Sequence, residues 1–163
     1  MRIAEGIEWA VHLCGVLGVV PPGLGLPAGR LAEFHDLPPA YLAKHLQALS
    51  RAGIVTANRG ASGGYRLAKP AAKITLLDIT LAIEGPEPAF RCTEIRQQGP
   101  CAAAPSACKH ACAIAKAFAD AETQWRKALA SISVADIITT AASESFDRER
   151  RRTFQAWLNG AVK

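Results

Sequence analysis

Apolar residues recur at helical spacing along most of this chain. Between residues 2 and 19, Ile3, Ile7, Ala10, Val11, Cys14 and Leu17 fall on one stripe, which predicts an amphipathic helix. Gly15 and Gly18 weaken its last turn. Residues 21–29 (PPGLGLPAG) are too rich in Pro and Gly for regular structure and read as a loop. Residues 30–36 (RLAEFHD) predict a short helix with Leu31, Ala32 and Phe34 available for packing, and Asp36-Leu37-Pro38 breaks it. Pro39 can open the next helix, because the first turn does not use its missing N–H. Over residues 39–52, Leu42, Leu46 and Leu49 sit at i, i+4 and i+7 and face the core. Tyr41, Lys44, His45, Gln47 and Arg51 are left for other faces, and Gly53 is placed to cap the end.

The period then changes. Ile54-Val55-Thr56 and Tyr65-Arg66-Leu67 are short strand-like runs around a Gly-rich tip and predict a hairpin, with Arg59 and Arg66 flanking the tip. Thr75 is an N-cap for LLDITLAIEG, a short helix ending at Gly85. From Cys112 to about Ser131, Ile114, Phe118, Ala121, Trp125 and Leu129 form a long apolar stripe with charges opposite. A helix of that length on a small domain packs against something, and a symmetry mate is the expected partner. Ser133 caps a further short helix, and residues 143–163 (DRERRR, then FQAWL) read as a frayed amphipathic tail.

A short helix, a tight turn and a helix with a polar outer face make a helix-turn-helix, whose second helix can enter a major groove. The Gly/Arg hairpin that follows makes it a winged helix. The expected fold is therefore mainly α: a winged helix-turn-helix with a small β-hairpin wing and a long C-terminal dimerisation helix. Its expected units are a DNA-binding domain over 1–85, a cysteine-rich loop over 86–112, a dimerisation helix with a short following helix over 113–142, and a tail over 143–163.

Charge sharpens this picture. The formal net charge of the 163-residue chain is +5. Residues 1–75 carry eight Lys/Arg against four Asp/Glu, whereas residues 76–163 carry eleven against ten. A basic N-terminal half suits a polyanion, with double-stranded DNA the first choice. The apolar run from Ala10 to Val20 is short, contains His12 and follows Glu5 and Glu8, so it does not read as a secretory signal. No stretch is long enough to span a bilayer. The expected compartment is the cytoplasm, where thiols stay reduced. An enzyme is not expected, because His12, His35, His45 and His110 are the only histidines and no nucleophile–base pair is readable.

Four of the five cysteines lie in CTEIRQQGPCAAAPSACKHAC, residues 92–112, at spacings C-x8-C-x6-C-x3-C. Thiolates suit iron–sulfur clusters, zinc or copper(I), and can pair as disulfides. Zinc sites show C-x2–4-C pairs, and only Cys108 and Cys112 fit. A thiol–disulfide switch is the other reading. Glu8 and His12 are four apart and project from one helix face, either as a hydrogen-bonded surface pair or as ligands. Cys108 and Cys112 are also four apart and share a face if a helix begins near Ser106; a place for Cys108 just before the helix fits the spacing equally. Cys14 reads as a small core residue.

MRIAEGIEWAVHL, YLAKHLQALSRAGIV, NRGASGGYRLAKP and ITLLDITLAIEG, followed by the cysteines, resemble the Rrf-type bacterial transcription regulators, the IscR/NsrR family, over about residues 1–140. The resemblance implies dimeric winged-helix proteins, many with an iron–sulfur cluster that controls DNA affinity. It implies that Tyr41 and Lys44 lie at the groove, with Arg51 on the same helix. Arg59, Gly60, Ser62, Gly63 and Tyr65 would form the wing. Ala43 stands where IscR-like members often carry an acidic side chain, so base preference is expected to differ. IEWAVH, FRCTEIRQQGP and CKHACAIAKA are more similar to the redox-sensing RsrR branch, which carries a 2Fe–2S cluster at its dimer interface. Carried onto this chain, the ligands implied are Glu8 and His12 from one subunit and Cys108 and Cys112 from the other. Cys101, and more remotely Cys92, compete for the thiolate places. Trp9 matches an aromatic that relays cluster redox state. Oxidation state, nitric oxide and iron supply are the signals such a cluster can read.

Overall fold

A computed structural model of the chain describes residues 4–58, 63–143 and 148–162. Helix α1 (Glu5–Gly18) buries Ile7, Ala10, Cys14 and Leu17 of the predicted stripe together with Leu13 and Val16; Val11 is half-buried, and Ile3 lies outside the described residues. Its first free N–H, on Ala4, donates to Glu84 Oε1 at 3.2 Å, tying the start of α1 to the helix that ends at Glu84. Helix α2 (Ala28–His35) buries Leu31 and Ala32. Asp36 ends it at φ 51°, a left-handed conformation that a short Asp side chain tolerates. The Leu37 N–H reaches back to Ala32 O at 3.0 Å, which satisfies a carbonyl at the helix end.

Helix α3 (Pro39–Arg51) starts with proline in its first turn and buries Leu42, Leu46 and Leu49 as expected. Gly53, at φ 66°, closes it, and the Ile54 N–H donates to Leu49 O at 2.9 Å. Strands β1 (Val55–Asn58) and β2 (Gly64–Leu67) pair antiparallel, with Val55 opposite Leu67 and Asn58 opposite Gly64. The Pro/Gly loop before α2 joins this hairpin: Leu26 and Tyr65 exchange backbone hydrogen bonds at 2.8 and 2.9 Å. Gly64 permits that approach, since a Cβ there would lie 2.5 Å from the Leu26 carbonyl carbon and its φ is +129°.

Helix α4 (Leu76–Glu84) opens on a reciprocal cap, Thr75 with Asp78, and stops at Gly85. Residues 86–112 contain no α-helix, only two short 3-10 turns at Ile95–Gln97 and Pro105–Cys108. Helix α5 (Ala113–Ala130) follows and buries no residue. Helix α6 (Val134–Ser143) buries Val134 and is capped by Ser133, whose Oγ accepts from the Asp136 N–H at 3.2 Å.

The C-terminal segment differs from the frayed tail expected. Helix α7 (Arg148–Ala161) docks on the chain, with Leu158 and Ala161 buried. Its Trp157 and Phe154 rings lie 4.4 and 5.6 Å from Phe34 of α2, and the Arg30 guanidinium sits 5.8 Å from the Trp157 ring. FQAWL carries apolar residues at helical spacing, and α2 offers the matching Phe34; the local sequence cannot show that partner.

Candidate functional site

The outer face of α3 is the first candidate surface. Lys44 and Arg51 are exposed, and Tyr41 is half-buried. Tyr41 meets His45 edge-on, with centroids 4.6 Å apart. His45 is not on an outer face as expected: it is 6% exposed and its Nε2 has no partner. It packs under the start of α1, where a Cβ on Gly6 would fall 2.8 Å from its Cε1. Burial holds its pKa below the usual imidazole range, and Lys44 pushes the same way. Of the wing residues, Gly63 and Tyr65 are half-buried, and Tyr65 packs on the core as well as pairing with Leu26. Arg59, Gly60 and Ser62 lie outside the described residues.

The second surface is on α1. Glu8 and His12 are both exposed, one turn apart, and Trp9 between them is half-buried. The Trp9 indole N–H donates to Glu5 Oε1 at 3.4 Å. Trp9, His12 and His35 form a triangle of rings, with centroid separations of 6.4, 6.0 and 6.1 Å. His35, at the end of α2, was counted in the sequence but given no role. Its Nε2 is buried without a partner, and burial, then His12, lowers its pKa. A histidine just before a helix-breaking Asp-Leu-Pro carries no local sign that it meets α1.

The third is the cysteine stretch. Cys92 and Cys101 are exposed, and Cys108 and Cys112 are half-buried. The last two are not consecutive turns of one helix, as a start near Ser106 would have made them. Cys108 ends the 3-10 turn, and Cys112 is the N-cap of α5. Proline at 105 favours the tight turn, and Ala113 is where the uninterrupted helical pattern begins. The Ala115 N–H donates to Cys112 Sγ at 3.4 Å. That bond, the Ile114 N–H and the Arg96 cation hold the Cys112 thiol below its ordinary pKa, against some desolvation. Arg96 donates to both Glu94 oxygens, at 2.5 and 2.7 Å, and to His110 O at 2.9 Å. Cys14 is the opposite case: buried in α1, its thiol is pushed up to about 12, and it is a core side chain as expected.

The start of the loop is fastened to α5. Arg126 pairs with Glu122 at 2.6 Å and donates to Pro86 O at 3.0 Å, while the Ala89 N–H donates to Glu122 Oε2 at 3.1 Å. Phe90 stacks on Phe118 with centroids 4.4 Å apart. Glu8 and His12 do not meet Cys108 and Cys112. Among the described residues, no three His, Cys, Asp or Glu side chains are close enough to hold a metal ion.

The family model for Rrf2, described as an iron-dependent transcriptional regulator, matches residues 3–140. The chain belongs to the Rrf2 family. This Rrf2 chain is 34% identical over 85 residues to YwgB of Bacillus subtilis (strain 168), a candidate HTH-type transcriptional regulator; the match covers 52% of this chain and 54% of YwgB. It is 33% identical over 86 residues to Rv1287 of Mycobacterium tuberculosis (strain ATCC 25618 / H37Rv), named in the same way, covering 53% of each. The chain thus spans about half the length of these two curated relatives. YffB of Lactococcus lactis subsp. lactis (strain IL1403) matches at 27% over 137 residues, 84% of this chain and 86% of that one.

Among solved structures, T. potens IscR superposes with a TM-score of 0.67 at 20% identity, covering 93% of this chain and 96% of that chain. The oxidized form of Staphylococcus aureus CymR superposes with 0.62 at 22%, covering 90% and 99%. At this identity the likeness is one of fold, and it is the mainly helical winged-helix fold expected. The Rrf2 family is one of transcription regulators, not enzymes. No helix among the described residues is long and apolar enough to cross a membrane.

Proposed function

We propose that this Rrf2 chain is a cytoplasmic, homodimeric, DNA-binding transcription regulator whose DNA affinity is controlled by a 2Fe–2S cluster shared between subunits. One observation carries the reading: the chain presents two separate two-donor halves. Glu8 and His12 share an exposed face of α1, Cys108 and Cys112 flank the Arg96-bonded His110, and neither pair finds further donors among the described residues. A 2Fe–2S cluster takes four protein ligands. Two halves from two subunits make one set, and a two-fold axis makes two such sets. The donor chemistry fits, with thiolates for one iron and imidazole plus carboxylate for the other. Exposed Cys92 and Cys101 are alternative thiolates.

When bound, the cluster supplies a one-electron couple, and its imidazole ligand raises the potential. The chain's own residues do the rest. α5 offers the pairing surface, with Ile114 60% and Phe118 51% exposed. Trp9, beside the α1 ligands, touches the ring triangle that includes His35 of α2. A shift of α1 is thus felt by the first helix of the helix-turn-helix. In a two-fold complex, a small change in half-site spacing costs affinity. Tyr41, Lys44 and Arg51 of α3 face the DNA, and Arg59, Gly60, Ser62, Gly63 and Tyr65 form the wing. In this reading residues 1–85 bind DNA, 86–112 carry the thiolates, 113–142 pair the subunits and 143–163 form the tail.

The test is an anaerobic iron and sulfide assay with the visible spectrum, before and after dithionite. Wild type is expected to be coloured and to bleach on reduction. Glu8→Ala, His12→Ala and Cys112→Ser are expected to lose most of the iron and sulfide. Colourless wild-type protein with stoichiometric zinc overturns the reading. A second reading is a disulfide switch without metal: the Ala115 N–H on Cys112 Sγ and the nearby Arg96 cation favour its thiolate form over that of an ordinary cysteine. A Cys108–Cys112 disulfide in metal-free protein, whose reduction changes DNA binding, selects it.

A further inference from the structure

Residues 92–112 hold thiols in place without a core. None of them is buried and none is in an α-helix. Most of their backbone hydrogen bonds are local: Gln97 to Glu94, Gln98 to Ile95, Ala102 to Gly99 and Ala107 to Ala104. Such turns order three or four residues each but do not join the two ends of the stretch.

Arg96 joins them. Its carbonyl accepts from the Ala103 N–H at 2.8 Å, reaching the middle of the stretch. Its Nε and Nη2 hold the Glu94 carboxylate, and Nη2 also reaches His110 O at 2.9 Å, midway in sequence between Cys108 and Cys112. Glu94 is itself in a left-handed conformation, φ 51°, with its N–H donating to Cys92 Sγ at 3.4 Å. Arg96 thus reaches the middle of the segment through its backbone and joins Glu94, near the start, to His110, near the end, through its guanidinium, which also sets a positive charge in the loop that carries the thiols. A planar fork with several donors can hold a carboxylate and a carbonyl together; a lysine ammonium, a point charge on a flexible stem, does not reproduce that bidentate contact.

We propose that Arg96 is the positioning residue of the cysteine half-site: through Glu94 and the His110 carbonyl it folds residues 92–112 into a rigid cradle for Cys108 and Cys112. The proposal rests on the reading above only for the identity of the metal that the thiols take.

The experiment has two arms, on full-length protein. In the first, hydrogen exchange of metal-free protein is followed by mass spectrometry. Arg96→Gln and Arg96→Lys are both expected to speed exchange across residues 92–112 by roughly tenfold or more, with α1 to α4 unchanged. Glu94→Gln, which keeps the cation but weakens the fork, is expected to fall between them and wild type. It also serves if the arginine variants fold poorly. In the second arm, Co(II) is titrated anaerobically and the thiolate-to-cobalt absorption is read. Loss of a group that orients ligands weakens metal binding ~10–100-fold, and Arg96→Gln is expected to fall in that range.

For protein reconstituted with iron and sulfide, Arg96→Gln is expected to shift the midpoint potential downward and Arg96→Lys to hold it near wild type. A purely structural role for Arg96 would not produce that separation. Unchanged exchange and unchanged cobalt affinity in Arg96→Gln overturn the proposal. Full rescue of exchange by Arg96→Lys also overturns it, because charge and not the fork would then suffice. Wild type that takes up neither cobalt through thiolates nor iron with sulfide removes the cluster reading, while the exchange arm still judges Arg96.

Discussion

Residues 4–80 and residues 86–130 are built on different principles. The first stretch supplies nearly all of the buried side chains, from Ile7 through Leu13, Leu31, Leu46 and Val55 to Ile79, and Val134 of α6 with Leu158 and Ala161 of α7 complete that core. Each fully buried Leu or Ile there stabilises the fold by roughly 1.5–3 kcal/mol. The second stretch buries nothing, holds its loop with Arg96, Glu122 and Arg126, and leaves Ile114 and Phe118 exposed on α5. A unit whose apolar side chains are buried within the subunit needs no second chain to cover them. A unit held by polar clamps with an open apolar helix face has spare surface for a second chain. The contrast fits a regulator in which DNA reading is built into each subunit and sensing is built between two.

The largest expected effect lies in the closed core. Leu46 is fully buried, so Leu46→Ala is expected to lower stability by about 2–5 kcal/mol, read from urea unfolding. If the loss is under ~0.5 kcal/mol, the core is not where it has been placed.

A smaller effect is expected from pH. His45 and His35 are held below their ordinary value of 6.5, chiefly by burial, so the folded chain takes up their protons at lower pH than the unfolded chain does. The unfolded chain then binds more protons as pH falls below 6.5. Their contribution is therefore fully present above 6.5, is lost as pH falls from there to the lower folded pKa values, and is constant below them. A fall in Tm from pH 7.5 to 5.5 that is shallower in His45→Gln checks this. An equally steep fall in the variant would assign the slope to other groups.

The smallest effect on folding is expected at Phe118. Because it is 51% exposed, Phe118→Glu is expected to change unfolding of the dilute chain by no more than ~0.5 kcal/mol. Sedimentation at higher concentration is expected to show loss of the dimer. A large folding loss with the dimer intact would mean that the Phe90–Phe118 stack, and not a second chain, is what this face serves.

How much of this was legible in advance follows from how local each feature is. The leucine stripe of α3, the Gly53 and Thr75 caps and the hairpin from Val55 to Leu67 were all readable, because each depends on neighbours a few residues away. His45 was misplaced because helical spacing alone does not say that Gly6, from another helix, leaves room for an imidazole. The docked α7 was read as a frayed tail because its partner, Phe34, lies more than a hundred residues earlier. Cys108 could be read either on a helix beginning near Ser106 or just before it, because i, i+4 spacing is compatible with both, and the observed start at Ala113 decides for the second.

The sequence by itself determined the mainly helical class, the winged helix-turn-helix order, the Rrf-type resemblance and where the thiol, imidazole and carboxylate side chains stand along the chain. Those rest on side-chain periodicity, capping chemistry and donor types, which are properties of short stretches. The tertiary structure alone decided that Trp9, His12 and His35 share one corner, that Leu26 locks onto the wing strand, and that Arg96 closes the cysteine loop. It also decided that the two donor pairs stand apart. These depend on how distant segments pack once their apolar faces leave water, and no spacing along a chain encodes a distance across it.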